Sequence, residues 1–384
     1  MKNIINIVSI LLILGFLSVC SKEQSETVAP KPIKVEENQK LLVSADNKLG
    51  LGIYKSILKT TSQNSNILIS PISLNKSLCI PLYGMENSYG IKRILQLTDL
   101  KKEAILTEIN KLNSTILNID QQSEFKTSTS FITDDRDNLN EQFKKLIHDN
   151  NDLQIADFNQ NKKELPIKNI CRASIFSINN EINLTCNLKY QTGIEESPFY
   201  LNPNQSKFVE MLICESKFNY YSDNNIKAIE MPIGRGNFNA MIILPQVNQS
   251  LKSIKNKLNI YYINKINEKF KQLNLSVYLP KLNIDYTGSL NNSLKKQGLQ
   301  NLFMTKGEKY KHINSVKKLC LYEFSQSVNL KMVSKPVTKK ILFDTKDQHK
   351  NSLFIDRPFL FIITEKYSGS IIFIGQIINP VNEN

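Results

Sequence analysis

Residue patterns that carry chemistry are scarce in this chain of 384 residues. The three histidines, His148, His312 and His349, lie beside no cysteine or carboxylate motif of the kind that binds zinc. The sequence contains neither a Walker phosphate loop nor a GxGxxG dinucleotide motif. We therefore predict no metal site, no cofactor and no enzymatic activity, although a catalytic triad assembled from distant residues stays open.

Six cysteines are present, and Cys20 ends the leading apolar segment. The remaining cysteines are odd in number and have no CxxC or metal-ligand spacing, so we interpret them as small buried apolar residues. They are Cys79, Cys171, Cys186, Cys214 and Cys320.

A stretch near the C-terminus, VSKPVTKKILFDTKDQHKNSLFIDRPF, is rich in lysine and has no helical period. It begins like a strand at Val333, meets Pro336 and the adjacent Lys339 and Lys340, and ends where an apolar run starts at Phe359. Proline has no N–H for a strand ladder, and lysine favours water. The pattern predicts a long exposed loop between two strands.

The formal net charge is +14 and the pI is about 9.3. Lysines are scattered along the chain, and every arginine is isolated from the others: Arg93, Arg136, Arg172, Arg235 and Arg357. This distribution favours a solvated lysine-rich surface over a specific nucleic-acid site. Unspecific binding to acidic polymers stays open.

The leading segment has one lysine and an apolar run from Ile4 to Val19, directly before Cys20. It is too short for a spanning helix and predicts an export signal. Its last residues, LSVC, resemble the lipobox of bacterial lipoproteins, in which Cys20 would be lipidated and would anchor the protein to a membrane. An ordinary secretory signal and a retained anchor are the alternatives. We expect a bacterial cell-envelope protein on the outer membrane or cell surface.

The chain divides into a signal at residues 1–19, a flexible polar tether at 20–40 and a folded part at 41–384. Apolar residues recur at helical spacing in Ala45–Thr60, and Pro71 is placed to open a second helix. From Leu153 onward, short apolar runs predict strands. The expected class is α+β, with either two domains or one large domain.

Several of these segments, taken in order, resemble the motifs of the serpin family. The matching stretches are NILISPISLNKSLCIPLYGMENSYGIKRIL, ADF, NLKYQTGIEESPF, KAIEMPIGRGNFNAMIILP, YLPKLNIDYTGSLNNSLKKQGLQNLF and FIDRPFLFIITEKYSGSIIFIGQIINP. The resemblance extends from about Asn47 to Pro380, and six motifs in the right order are far more specific than any one of them.

The resemblance implies one large domain with an α+β serpin-like fold: three β-sheets, about nine helices and an exposed reactive-centre loop. It also implies a monomer that inhibits serine or cysteine proteases. In this mechanism a protease acylates and cuts the loop, which then inserts as a new strand into the largest sheet. The stretch after Val333 corresponds to that loop.

The start of the loop departs from the family pattern. Alignment on Gln326 places Ser334, Lys335 and Pro336 where the family has two glutamates and a glycine. Val337 and Thr338 follow, and Lys339 and Lys340 replace the first alanines. In favour of insertion, the stretch VTKKILF is rich in residues that form strands. An inserted lysine that faces the sheet interior is costly, so we expect insertion to be impaired without being excluded. The alternative is a non-inhibitory serpin-like binding or scaffold protein on the bacterial surface.

Counting from Pro336 places the scissile bond at Lys350–Asn351, whereas counting back from DRPF places it near Thr345 or Lys346. Lysine before the bond would suit a trypsin-like protease. The resemblance also implies a polar cluster that controls sheet opening, carried over here onto Ser70, Ser73, Asn187 and Gln326.

Overall fold

The computed structural model describes residues 29–61, 64–158, 174–303, 310–334 and 351–381. The export signal, Cys20, Cys171 and most of the predicted loop, residues 335–350, lie outside the described residues. The helices of the described ranges are α1 (Glu37–Leu58), α2 (Pro71–Gly84), α3 (Tyr89–Ile94), α4 (Lys102–Leu117), α5 (Glu141–His148), α6 (Leu251–Lys257), α7 (Ile260–Lys269) and α8 (Asn291–Leu294).

Strands form most of the remaining structure within the same ranges. They are β1 (Ile67–Ile69), β2 (Ser123–Thr133), β3 (Leu153–Asp157), β4 (Ser174–Cys186), β5 (Gln191–Asn202), β6 (Gln205–Ser222), β7 (Ile226–Ile233), β8 (Phe238–Pro245), β9 (Lys271–Pro280), β10 (Asn283–Ser289), β11 (Leu319–Met332), β12 (Ser352–Phe354), β13 (Phe359–Glu365) and β14 (Ile371–Ile377). Runs of strands, such as β4–β8 and β12–β14, follow one another within the described ranges without an α-helix between them, which confirms the α+β class.

A five-stranded sheet has the order β10-β11-β4-β2-β3, and its neighbours β4 and β11 run parallel. Along β11 the inward side chains of Phe324, Val328 and Leu330 are buried, whereas Ser327 and Asn329 between them are partly exposed. The inward face of β4 packs on α2. The sheet therefore has one apolar face turned to the core and one polar face turned to solvent.

The second sheet has nine strands in the order β1-β14-β13-β8-β7-β6-β9-β12, with β5 paired to β6. Strand β6 pairs with β5 and β9 over most of its length and with β7 at its end. Strand β6 thus joins the group of β5, β9 and β12 to the run from β7 to β1. Two of the three expected sheets therefore form one hydrogen-bonded network.

Helix α2 lies between the two sheets and contacts both β4 and β14. It begins at Pro71, as predicted, since proline at the first turn forfeits no helical hydrogen bond. It continues through Pro81 to Gly84. Most of its residues are buried, which is typical of a helix enclosed on all sides by core.

The first helix begins earlier than the sequence suggested. The helical spacing predicts a helix from Ala45, and the predicted folded part begins at residue 41, but α1 starts at Glu37. Upstream of it, the Lys31 N–H donates to Asn237 Oδ1 at 3.0 Å, and Asn237 Nδ2 donates to the Lys31 carbonyl at 2.6 Å. The last part of the predicted tether therefore lies against the domain, because a buried amide side chain satisfies its backbone.

Four cysteines fall within the described ranges, and all four are buried: Cys79, Cys186, Cys214 and Cys320. This confirms their interpretation as small buried residues. None of the helices in the described part of the chain is long and apolar enough to cross a membrane.

Candidate functional site

Strands β4 and β11 pair along a line that we call the seam. Neutral polar side chains meet on the core side of this line. Gln326 of β11 lies directly opposite Asn180 of β4. Gln326 Nε2 lies 2.7 Å from Asn180 Oδ1, 2.9 Å from Ser73 Oγ and 3.0 Å from the Ser70 carbonyl. The Ser70 N–H donates to Gln326 Oε1 at 2.9 Å. These four residues, the seam cluster, are buried and connect both strands to the start of α2.

The network extends from the seam cluster to a third strand. Asn180 Nδ2 donates to the Ser73 carbonyl at 3.2 Å and to Thr129 Oγ1 of β2 at 3.3 Å. The hydroxyls of Thr129 and Ser77 lie 2.9 Å apart. Buried polar groups are stable only when their partners are in place, so separating β4 from β11 breaks several hydrogen bonds at once.

The structure corrects one member of the cluster predicted from sequence. It brings Ser70, Ser73 and Gln326 together, but the asparagine that joins them is Asn180 and not Asn187. Asn187 lies beyond the end of β4, where its carbonyl accepts from the Gly234 N–H at 2.8 Å. The family motif NLKYQTGIEESPF begins at Asn187 and therefore predicts that residue, whereas strand register decides which asparagine faces Gln326.

The described part of the predicted loop starts at the end of β11. The Val333 N–H donates to the Cys186 carbonyl at 2.9 Å, which extends the β4–β11 pairing by one bond. Ser334 follows and is partly buried. The other hinge positions lie outside the described residues: Lys335, Pro336, Val337, Thr338, Lys339 and Lys340.

The chain returns at Asn351, next to the edge of the nine-stranded sheet. Lys350 lies outside the described residues, while the Asn351 carbonyl accepts from the Ser276 N–H of β9 at 3.1 Å. Strand β12 then pairs in parallel with β9, and the ring of Phe354 stacks on Tyr278 with centroids 4.2 Å apart. Burial raises the pKa of the Tyr278 hydroxyl, so this stacked ring is uncharged at neutral pH.

The family profile described as "Serpin (serine protease inhibitor)" matches residues 44–380. The chain belongs to the serpin family. A serpin-like protein of Methanosarcina acetivorans is 26% identical over 191 residues, which cover 48% of this serpin and 45% of that protein. Intracellular coagulation inhibitor 2 of Tachypleus tridentatus is 22% identical over 382 residues, 90% of this serpin and 92% of the relative.

Solved serpin structures share the fold of this serpin at low sequence identity. Human thyroxine-binding globulin is 18% identical, with a TM-score of 0.74 over 89% of this serpin and 100% of that chain. Within the part of the chain that the structure describes, β4 and β11 of this serpin are paired directly, without a strand between them. The structure therefore places the seam, the end of β11 and the start of the predicted loop in one continuous region.

Proposed function

We propose that this serpin is a serine or cysteine protease inhibitor that acts by cleavage of the segment after Val333 and its insertion between β4 and β11. The closed β4–β11 seam is the observation that carries the proposal. The two strands are parallel, and the proposed loop leaves from the end of one of them. A segment that turns back there runs antiparallel to both strands and can pair with each of them.

The seam cluster supplies the barrier in this proposal. Insertion requires β4 and β11 to separate, which breaks their ladder and the contact of Gln326 with Asn180. Insertion then replaces the single β4–β11 ladder of hydrogen bonds with two ladders, one on each side of the inserted strand. A single-use inhibitor needs an inserted state of lower free energy than the native state and a barrier that keeps the uncut protein in the native state.

The hinge residues handicap insertion, because side chains of a strand alternate between the two faces of the sheet. If Val337 and Ile341 turn inward, Lys339 turns inward with them. If they turn outward, Lys340 takes the inward side and the apolar residues meet the polar outer face. Either register turns at least one lysine toward the apolar core, so we expect slow insertion and a large fraction of substrate-like cleavage.

The contacts of Asn351 favour a scissile bond earlier than Lys350–Asn351. A protease binds residues on both sides of the cut in extended form, yet the Asn351 carbonyl is already bonded to Ser276 and the next residue pairs within β12. We therefore propose cleavage near Thr345 or Lys346, with Lys346 as the residue a trypsin-like protease would select. Mass spectrometry of the fragments distinguishes the sites, and a cut after Lys350 would contradict this choice.

A trypsin titration tests inhibition itself. Increasing amounts of the purified domain are mixed with trypsin and run on a denaturing gel. We expect a covalent complex together with a larger amount of cleaved protein, because deacylation competes with slow insertion. A heat-inactivated trypsin sample is the control. Complete cleavage without any complex would contradict the proposal.

A binding function is the second candidate, and the hinge composition is the observation that favours it. Pro336, Lys339 and Lys340 all oppose insertion. The structural neighbour thyroxine-binding globulin is named for a ligand and not for a protease. Clean cleavage in the titration, with unchanged thermal stability of the cleaved protein, would favour a binding or scaffold role.

We also propose that the protein is a lipoprotein of the bacterial cell envelope, anchored through Cys20. The LSVC motif and the polar stretch that follows it support this proposal. Metabolic labelling with a palmitate analogue should mark the wild-type protein and not the Cys20→Ala variant. Equal labelling of both proteins would contradict lipidation at Cys20.

A further inference from the structure

A cleft of about 560 Å³ lies between α6, the β5–β6 turn and the start of β13, away from the seam. Apolar side chains form much of its lining, among them Tyr200, Val247, Leu251 and Ile378. Its volume falls in the range of small-molecule sites. The cleft does not involve the seam cluster or the described ends of the proposed loop.

A buried cation lines this cleft without a carboxylate partner among the described residues. Lys255 is only 7% exposed, and its Nζ donates to Gln376 Oε1 at 2.7 Å, which is a neutral acceptor. Gln376 in turn donates through Nε2 to the Ser65 carbonyl at 2.7 Å, so its amide orientation is fixed. An ammonium has three donors, and the hydrogen bond to Gln376 occupies one of them with a neutral acceptor, so Lys255 can still bind an anion from the cleft.

The other charged groups of the cleft add positive charge. Lys252 also lines it. Burial, and after it repulsion from Lys252, lowers the pKa of the Lys255 ammonium. Arg357 Nη1 contacts Asp356 Oδ1 at 2.6 Å, and its Nε and Nη2 donate to the Pro245 carbonyl. Asp356, the acidic residue of the lining, is thus already neutralised by Arg357.

We propose that this cleft binds a small amphiphilic carboxylate: an anionic head beside Lys255 and Lys252, and an apolar body along Val247, Leu251 and Tyr200. A carboxylate would satisfy the unused donors of the buried ammonium, and an apolar chain would cover exposed apolar surface. Val247, which is 81% exposed, stands where such a body would lie. This site is independent of protease inhibition.

Calorimetric titration of the purified domain with sodium decanoate tests the proposal. We expect saturable one-site binding, with decanol and decyltrimethylammonium at least tenfold weaker because they lack the anionic head. Octanoate should bind roughly tenfold more weakly than decanoate, since each buried methylene adds to affinity. Absence of saturable decanoate binding, or equal binding of decanol, would overturn the proposal.

Variants of residues that line the cleft test whether decanoate binds there. Lys255→Met is one atom shorter but keeps the unbranched apolar stem, and it removes a buried charge that has no carboxylate partner among the described residues. The fold should therefore persist while decanoate affinity falls at least tenfold. Val247→Glu places a negative charge on an exposed position of the lining and should weaken decanoate similarly, whether or not Lys255→Met folds. Lys145→Met, an exposed lysine on α5, is the matched control and should bind like wild type. Unchanged affinity in Val247→Glu, or in a folded Lys255→Met, would reject this location.

Discussion

At the scale of single residues, Gln326 is the residue on which the proposed mechanism most depends. Its amide accepts from the Ser70 N–H and lies within hydrogen-bond distance of three oxygens, on α2, on β4 and just before α2. The seam cluster consists of serine, asparagine and glutamine, which do not titrate between pH 3 and pH 10, roughly. The barrier it supplies should therefore not change with pH.

Replacing Gln326 by leucine should destabilise the fold by about 2–4 kcal/mol, because the amide of Asn180 and the backbone of Ser70 lose their buried partner. Urea unfolding followed by circular dichroism measures this change. Gln326→His, which retains a hydrogen-bond donor, should cost about 1 kcal/mol. Equal stability of the leucine and wild-type proteins would show that the cluster contributes nothing to holding the seam.

Asp46 of α1 should make stability depend on pH. Its carboxyl is buried, accepts from Asn75 Nδ2 at 2.8 Å, and has a pKa raised well above its usual range, mainly by burial. The folded state therefore keeps a proton that the unfolded chain has already lost. Stability is highest below the ordinary aspartate pKa and falls as pH rises through the folded pKa.

The Asp46→Asn variant should lose this pH dependence and exceed wild type in melting temperature at pH 8. Melting curves from pH 4 to pH 8 check the expectation. Asp149→Asn serves as control, because Asp149 lies on the surface at the end of α5. Parallel wild-type and Asp46→Asn curves would contradict the role of burial.

At the scale of elements, the proposed loop is held at both ends by β-structure. Val333 continues the pairing of β11 with β4, and Asn351 opens the pairing of β12 with β9. Insertion therefore requires a cut between these ends, because an uncut segment is held by two sheets. In the proposed mechanism, the composition of the first inserted residues then sets whether insertion outpaces deacylation.

Replacing Lys339 and Lys340 together by alanine should increase the yield of covalent protease complex severalfold, because one of these two lysines faces the core in either register and alanine is small and uncharged. The stoichiometry of trypsin inhibition and the gel complex measure this change. The double alanine variant of Lys144 and Lys145, an adjacent pair on α5, is the matched control. An unchanged yield would contradict the proposal that these two lysines slow insertion.

At the scale of the whole molecule, the proposed function depends on a native state that is not the most stable arrangement of the chain. The five-stranded sheet is closed between β4 and β11, yet both strands can accept another neighbour after separation. The segment around Lys31 is packed against the same body through Asn237, so the last part of the predicted tether belongs to the folded domain.

Cleavage of the loop should raise the melting temperature by 20 °C or more, on the order of the gain expected from an added central strand. Differential scanning calorimetry before and after limited proteolysis measures this shift. The cleaved Pro336→Gly variant should show a gain at least as large, since the glycine N–H can join the ladder. An unchanged melting temperature after cleavage would reject insertion and favour the binding function.

The sequence by itself determined the family, the α+β class and the position of the proposed loop. These depend on local motifs in a fixed order, such as the start of α2 at Pro71 and the apolar strands after Phe359. The polar strand β2 was not anticipated, because its residues Lys126–Ser130 lack the apolar alternation that indicates a strand.

Only the tertiary structure decided which side chains meet. Asn180 faces Gln326 because β4 and β11, distant in sequence, pair in one register, and motif spacing had indicated Asn187 instead. The buried position of Lys255 likewise follows from how α6 packs beside β13 and is invisible in a chain rich in surface lysines. Local sequence fixes which elements form, whereas long-range register and packing fix which of their side chains share a site.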